Sequence, residues 1–99
     1  GVQPGKDRKP VPYHGYYYKI LTSQGKNAPG GAQDYIVNGK MTQGFALVAY
    51  PARYGETGVM TFIVNQAGVV YQKNLGKNTA KAANIVKAFD PDRTWKQVK

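Results

Sequence analysis

The sequence contains no cysteine and only one histidine, His14. The lack of cysteine excludes disulfides, thiolate metal sites and covalently attached haem. One histidine and five scattered acidic residues give little support for a metal site of any other kind. We therefore expect no metal and no cofactor.

Long apolar runs are also missing. The longest one, from Phe45 to Tyr50, is far shorter than the about 20 residues that a membrane-spanning helix needs. The sequence therefore predicts no membrane-spanning segment.

Acidic residues are scarce beside the basic ones. Five Asp and Glu stand against fourteen Lys and Arg, which gives a net charge of +9. Such a charge attracts polyanions of any kind, so nucleic acid, anionic lipid, acidic glycans and acidic proteins all remain open as partners. Four of the lysines come after the last predicted strand in the sequence. They form a candidate basic face, made of Lys73, Lys77, Lys81 and Lys87.

A chain of 99 residues with 41% apolar residues is expected to form one domain around one modest core. Residues 1–12 are rich in proline, glycine and charge, and we interpret them as a flexible basic arm. Residues 13–99 then form a single α+β domain.

The strand signals come in short segments separated by turns. Aromatic and branched residues predict a first strand over Tyr16 to Thr22, and glycines with Pro29 make the following segment a loop. Two hairpins follow. The first joins residues 35–37 to the segment from Met41 to Tyr50 through Asn38-Gly39, and the second joins residues 59–64 to 69–71.

One helix is predicted after the second hairpin. It begins at Asn78 or Thr79 and carries an apolar stripe that is expected to pack on the sheet, formed by Ala82, Ile85, Val86 and Phe89. Asp90-Pro91-Asp92 is expected to stop the helix, and Trp95 to fold back over an edge of the core. The fold class is thus α+β, a small antiparallel sheet of two hairpins and an amino-terminal strand, packed by one carboxy-terminal helix.

The segment QGFALVAY, residues 43–50, matches six of the eight positions in the RNA-contacting strand of an RNA-recognition domain. However, Leu47 stands where a base-stacking ring is needed, and Gln43 where a phosphate-binding cation is needed. The β-α-β-β-α-β order of such a domain is missing as well. Nucleic acid is therefore a disfavoured partner, although the sequence does not exclude it. We interpret the segment as a central strand that is apolar on both faces, with the helix on one side and the arm or loop on the other.

Few residues have a pattern that indicates catalysis. His14 has no acid or nucleophile placed beside it in sequence, and an enzyme using it with Lys40 or Tyr13 is the least favoured function. Asp90 and Asp92 are better explained as helix-ending residues that balance lysines. The segment Pro29, Gly30 and Gly31 lacks the continuation of a phosphate-binding loop, so we interpret it as a flexible candidate contact loop.

Several longer motifs are shared with a known family. They are PYHGYYYKILTSQG, APGG, NGKM, GFALVAYPARYGETGVMTF, GVVY, NLG and FDPD followed by Trp95. Over roughly residues 12–98, the chain resembles the carboxy-terminal part of bacterial exported proteins catalogued as domain of unknown function 2950. The resemblance implies a periplasmic or extracellular location and assigns no catalytic residues. Because members of the family are usually longer, we expect a fragment or a short relative.

The order of strands and helix is also similar to the globular part of type II secretion pseudopilins. We therefore expect a non-catalytic exported domain that acts in binding or assembly, such as a subunit of an extracellular filament or envelope complex. Its partner is then another protein or a second copy. The alternative is a polyanion-binding module that uses the carboxy-terminal lysines.

Overall fold

The structure, a computed structural model, describes residues 11–99. The predicted arm lies outside the described residues except for Val11 and Pro12, which form no regular structure. In chain order the elements are β1 (Tyr16–Leu21), β2 (Ser23–Gln24), β3 (Gln33–Asp34), β4 (Ile36–Val37), β5 (Lys40–Met41), β6 (Ala46–Pro51), β7 (Thr61–Asn65), β8 (Val70–Lys73), a 3-10 turn (Gly76–Asn78), α1 (Thr79–Ile85) and β9 (Lys96–Gln97).

The main sheet has the strand order β1-β6-β7-β8-β9, and every neighbouring pair is antiparallel. This confirms the α+β class and the antiparallel sheet, which contains more strands than expected. The extra strands are β9 in the main sheet and the small ladder of β2 with β3, and the segment predicted as one strand from Met41 to Tyr50 is divided between β5 and β6.

The first predicted hairpin forms only at its tip. Asn38 and Gly39 have φ values of 52° and 78°, as a type I′ turn requires, and they join β4 to β5. The segment from Met41 to Tyr50 is not one partner strand, because the chain bends at Gln43. The next residue, Gly44, passes so close to the Tyr35 ring that a Cβ there would lie 2.7 Å from it. The strand after this bend, β6, pairs with β1 and β7 instead.

The helix is shorter than predicted, and its apolar stripe is partly wrong. Ile85 is 68% exposed, whereas Ala83 faces the core at 0%. The helix ends at Ile85 because the following chain is extended and pairs with β2: Phe89 N donates to Ser23 O (2.9 Å), and Gly25 N donates to Phe89 O (3.0 Å). Val86 and Phe89 therefore reach the core from an extended segment, and Asp90-Pro91-Asp92 is not what stops the helix.

The core lies on one face of the main sheet. Its buried members are Leu21, Ala28, Tyr35, Ala46, Val48, Ile63 and Phe89, with Tyr71, Val86 and Trp95 packed against them. The loop between β1 and β6, the segment from α1 to Phe89, and Trp95 thus form the second layer. The prediction that Trp95 covers an edge of the core is confirmed.

Candidate interaction surfaces

The opposite face of the main sheet is built by alternation along five strands. Side chains of successive strand residues point to opposite faces, so the residues that do not face the core share the other side. The register assigns to this open face Tyr16, Tyr18, Ile20, Leu47, Ala49, Pro51, Phe62, Val64, Val70, Gln72 and Lys96. Val98 continues the face beyond β9, because its N–H donates to Val70 O (2.8 Å).

The open face is apolar and accessible. Tyr18 and Ile20 are each 54% exposed, and Val98 is 39% exposed. Ala49 is buried on this side, since it lies in register between Tyr18 and Phe62. Lys96 is the one charged residue that the register places on the open face. Contiguous apolar surface of this kind is typical of interaction sites.

A tight turn extends the open face beyond β1. His14 and Gly15 have φ values of 52° and 82°, and they fold Tyr13 back onto Tyr16 through two reciprocal backbone hydrogen bonds. The Tyr13 ring then lies 6.3 Å from the Tyr18 ring in an edge-on arrangement. A third tyrosine, Tyr16, donates its hydroxyl to Met60 O (2.9 Å), and burial raises the pKa of Tyr16, to which nearby Tyr18 adds.

The four lysines of the candidate basic face have different surroundings. Lys73 donates to Thr94 Oγ1 (2.8 Å) and lies 5.8 Å from the centre of the Trp95 ring. Lys77 and Lys81 are exposed on the 3-10 turn and α1.

Lys87 is exposed beyond the end of the helix. The Lys19 ammonium donates to the last carbonyls of α1, those of Ala83 (3.4 Å) and Asn84 (3.0 Å). Burial lowers the pKa of Lys19, and the positive charge of Lys87 lowers it further. The Lys19 ammonium thus lies at the end of α1, on the core side of β1.

The candidate contact loop is hydrogen-bonded to a buried side chain, that of Gln24. The Gln24 side-chain amide donates to Pro29 O (2.9 Å) and Gly31 O (2.7 Å), and its oxygen accepts the buried hydroxyl of Tyr35 (3.0 Å). Gly30 and Gly31 have φ values of 90° and 80°, which favour glycine. Pro29 and Gly30 remain exposed, and the flexibility of the loop stays a prediction.

Asp90 and Asp92 do not form a carboxylate pair. Asp90 Oδ1 accepts hydrogen bonds from the backbone N and the side-chain Nδ2 of Asn27, both at 2.9 Å. Asp92 accepts from the hydroxyl and the backbone N of Thr94, and these bonds lower the pKa of Asp92. Each aspartate therefore fixes a separate turn.

His14 lies in the exposed turn beside the Tyr13 ring, at 4.2 Å between ring centres. Residues 11–99 contain no group of three or more His, Asp or Glu placed to hold a metal ion, and no pocket is found among them. In the same part of the chain, no helix has the length and hydropathy to cross a membrane.

The open face is the surface that the sequence reasoning missed. The sequence of β1 already indicated a second apolar face, because every residue of this strand except Lys19 is aromatic or aliphatic. We expected a loop or the arm to cover the second apolar face of β6, but the loop packs on the core side through Ala28 and Tyr35. The arm lies outside the described residues.

The chain was also compared with known proteins. No curated protein and no solved structure matches it. A family profile matches residues 2–98, nearly the full length, and its description is "protein of unknown function (DUF2950)". The chain therefore belongs to the DUF2950 family.

Proposed function

We propose that the chain is a non-catalytic exported domain that acts in binding or assembly, and that a partner protein docks on the open face of its main sheet. The observation that supports this most directly is the contiguous apolar face around Tyr18 and Ile20, which are each 54% exposed. Burial of this surface by a partner would contribute a favourable free energy of about 25 cal/mol per Å² of apolar area.

The charge of the chain favours a separate acidic protein over a second copy. Two copies would each bring a net charge of +9 to the contact, whereas an acidic partner would be attracted. Lys96 lies on the open face itself, where it would meet a carboxylate of such a partner. A subunit of an extracellular filament or envelope complex would have this kind of contact.

Site-specific photo-cross-linking in cells that naturally produce the protein tests this proposal. A photoreactive amino acid is introduced at Ile20 or Val64 on the open face and, as a control, at Ile85, which is equally apolar and 68% exposed on α1. We expect one discrete adduct of the same mass from both open-face positions and none from the control. The adduct should disappear when Tyr18→Glu is added.

Equal adduct patterns at all three positions would contradict the proposal. An adduct of twice the mass of the chain would identify the partner as a second copy, which contradicts the choice of a separate acidic protein.

The exported location is part of the proposal and is supported by the family resemblance. Fractionation of the producing cells, followed by antibody detection, should find the protein in the periplasmic or extracellular fraction. Recovery with the cytoplasmic markers would overturn this part alone.

A second candidate function is the binding of an acidic polymer by the lysine side of the molecule. It is favoured by the exposure of Lys77 and Lys81. Binding to a model polyanion such as heparin should then weaken steeply with added salt. The double variant K77Q/K81Q should weaken this binding. The open-face variant Tyr18→Glu should weaken it less, because it adds a negative charge but removes no lysine that contacts the polymer.

A further inference from the structure

The outer edge of β1 has unpaired backbone groups. β1 is an edge strand of the main sheet, with β6 on one side. In an antiparallel ladder, successive residues point both backbone groups alternately toward one neighbour and toward the other. Tyr16 exchanges its two bonds with Tyr13 on the side away from β6 (2.7 and 3.0 Å), so the same alternation points the backbone of Tyr18 and Ile20 outward.

The chain closes this edge at both ends and leaves its middle open. Tyr13 covers the outward groups of Tyr16, and Tyr35 N donates to the outward carbonyl of Thr22 (2.9 Å). Between them, the outward N–H and C=O groups of Tyr18 and Ile20 have no backbone partner among residues 11–99. We call these four groups the edge slot.

The two sides of the edge slot differ in chemistry. On the open face, the side chains of Tyr18 and Ile20 provide an apolar surface. On the core side, Lys19 lies between them in sequence, with its ammonium on the last carbonyls of α1 and with Lys87 nearby. The Lys19 ammonium is hydrogen-bonded to backbone carbonyls and to no carboxylate among the described residues.

We propose that the edge slot binds an extended strand of a separate protein in which apolar and acidic residues alternate. Directly opposed residues of paired strands have their side chains on the same face. The residues opposite Tyr18 and Ile20 therefore meet the apolar open face, and the residue opposite Lys19 meets the side of the strand that carries the Lys19 ammonium. The inference rests on the proposed function and specifies how its partner attaches, by strand addition.

A second copy fits the edge slot poorly. If the slots of two copies paired antiparallel through Tyr18 and Ile20, Lys19 would lie directly opposite its own counterpart. Like charges placed opposite each other across a ladder are destabilising. An acidic strand in the same position would instead reduce the repulsion between Lys19 and Lys87.

Three hexapeptides, added to the full chain, test the inference by fluorescence anisotropy. The first alternates valine and glutamate, the second valine and lysine, and the third serine and glutamate. Because the slot offers only two residues to pair with, we expect a dissociation constant on the order of tens of micromolar for the first peptide. The other two should bind at least about tenfold more weakly, since each lacks one of the two side-chain matches.

Amide hydrogen exchange by NMR locates the binding. Adding the valine–glutamate peptide should slow exchange at the amides of Tyr18 and Ile20. The amides of Tyr17 and Lys19, which face β6, should not change.

Variants at position 20 provide a matched pair. Ile20→Pro removes the outward N–H without removing a bond to β6, and proline is tolerated on an edge strand at such a position. We expect it to weaken binding about tenfold, whereas Ile20→Val keeps the N–H and should change binding by less than about twofold. The exchange experiment on the unaltered chain remains decisive if Ile20→Pro does not fold.

Four results would overturn the inference. They are no binding of the valine–glutamate peptide, equal binding of the lysine peptide, binding without protection of Tyr18 and Ile20, and protection of these two amides before any peptide is added. If the open-face cross-links persist in any of these cases, the proposed function stands and only the strand-addition mode is lost.

Discussion

Leu21 and Ile20 are neighbours in β1, yet Leu21 is 1% exposed and Ile20 is 54% exposed. The difference follows from the face on which each side chain lies. Leu21 points to the core face, which the loop, α1 and Trp95 cover, and Ile20 points to the open face. The comparison teaches that apolar character alone does not make a residue part of the core. Around Tyr18 and Ile20, the open face is apolar surface left exposed to water, and it is therefore available for a partner.

The largest predicted effect contrasts these two neighbours directly. Leu21→Ala should lower the free energy of unfolding by about 2–5 kcal/mol, because it leaves a cavity in a closely packed core. Ile20→Ala removes a side chain that is already half in water, so it should cost less than about 1 kcal/mol. Urea denaturation of both variants measures the two costs. Similar losses for both would show that the open face is covered in the folded chain, and the comparison would fail.

The second prediction concerns the loop that covers the core face. Tyr35→Phe removes the hydroxyl that donates to Gln24 Oε1 and leaves this buried oxygen without that donor. We expect a loss of about 1–3 kcal/mol in unfolding free energy. Hydrogen exchange in residues 28–31 should also become faster, because Gln24 holds the Pro29 and Gly31 carbonyls.

Tyr17→Phe is the control for this change, because the Tyr17 side chain makes no hydrogen bond among the described residues. It should leave both quantities nearly unchanged. An equal effect of the two variants would mean that the buried Tyr35–Gln24 pair does not stabilise the loop.

Local patterns in the sequence were enough to predict the main strands and turns. Branched and aromatic residues in Tyr16–Leu21 favour a strand by themselves, and Asn38-Gly39 specifies a turn whatever surrounds it. The central position of β6 followed from its two apolar faces. These features depend on a residue and its near neighbours, which is why the sequence alone reveals them.

The features that were missed depend on contacts between distant segments. The spacing of Ile85, Val86 and Phe89 fits a helix, but pairing of Phe89 with β2 competes for the same chain and ends α1 at Ile85. In the same way, the apolar residues of β6 do not show which of its faces the loop will cover. The open face could therefore be identified only after the loop was placed on the other side.

The third prediction compares two buried threonines, one with and one without a hydrogen-bond partner for its hydroxyl group. Thr61 is 0% exposed, and its hydroxyl has no hydrogen-bond partner among the described residues, whereas the hydroxyl of Thr79 donates to Gly76 O. Thr61→Val should raise the unfolding free energy by about 1 kcal/mol, because it removes an unpaired polar group from the core. Thr79→Val should lower it by about the same amount. Thermal denaturation of both variants gives the signs, and destabilisation by Thr61→Val would indicate that its hydroxyl is bonded in solution.

The smallest predicted effect lies in the turn that precedes Trp95, the last part of the layer over the core. The Thr94 hydroxyl and amide hold the pKa of Asp92 below its ordinary value, and Lys73 and Arg93 add to this. A carboxyl group with a lowered pKa in the folded state stabilises the fold above its ordinary pKa of about 3.9, and this contribution is lost as the pH falls through the folded-state value. Asp92→Asn should therefore be slightly less stable than the unaltered chain at pH 7, and the difference should disappear in strong acid.

Urea denaturation at neutral pH and near pH 2 measures this change. Glu56→Gln is the matched control, because it removes the same negative charge from an exposed position that accepts no such bonds from Thr94. If Asp92→Asn and Glu56→Gln lose the same stability at pH 7, the effect comes from net charge alone. If only Asp92→Asn loses stability, the Asp92–Thr94 turn helps to keep Trp95 on the core face, whereas Tyr18 and Ile20 on the open face stay 54% exposed.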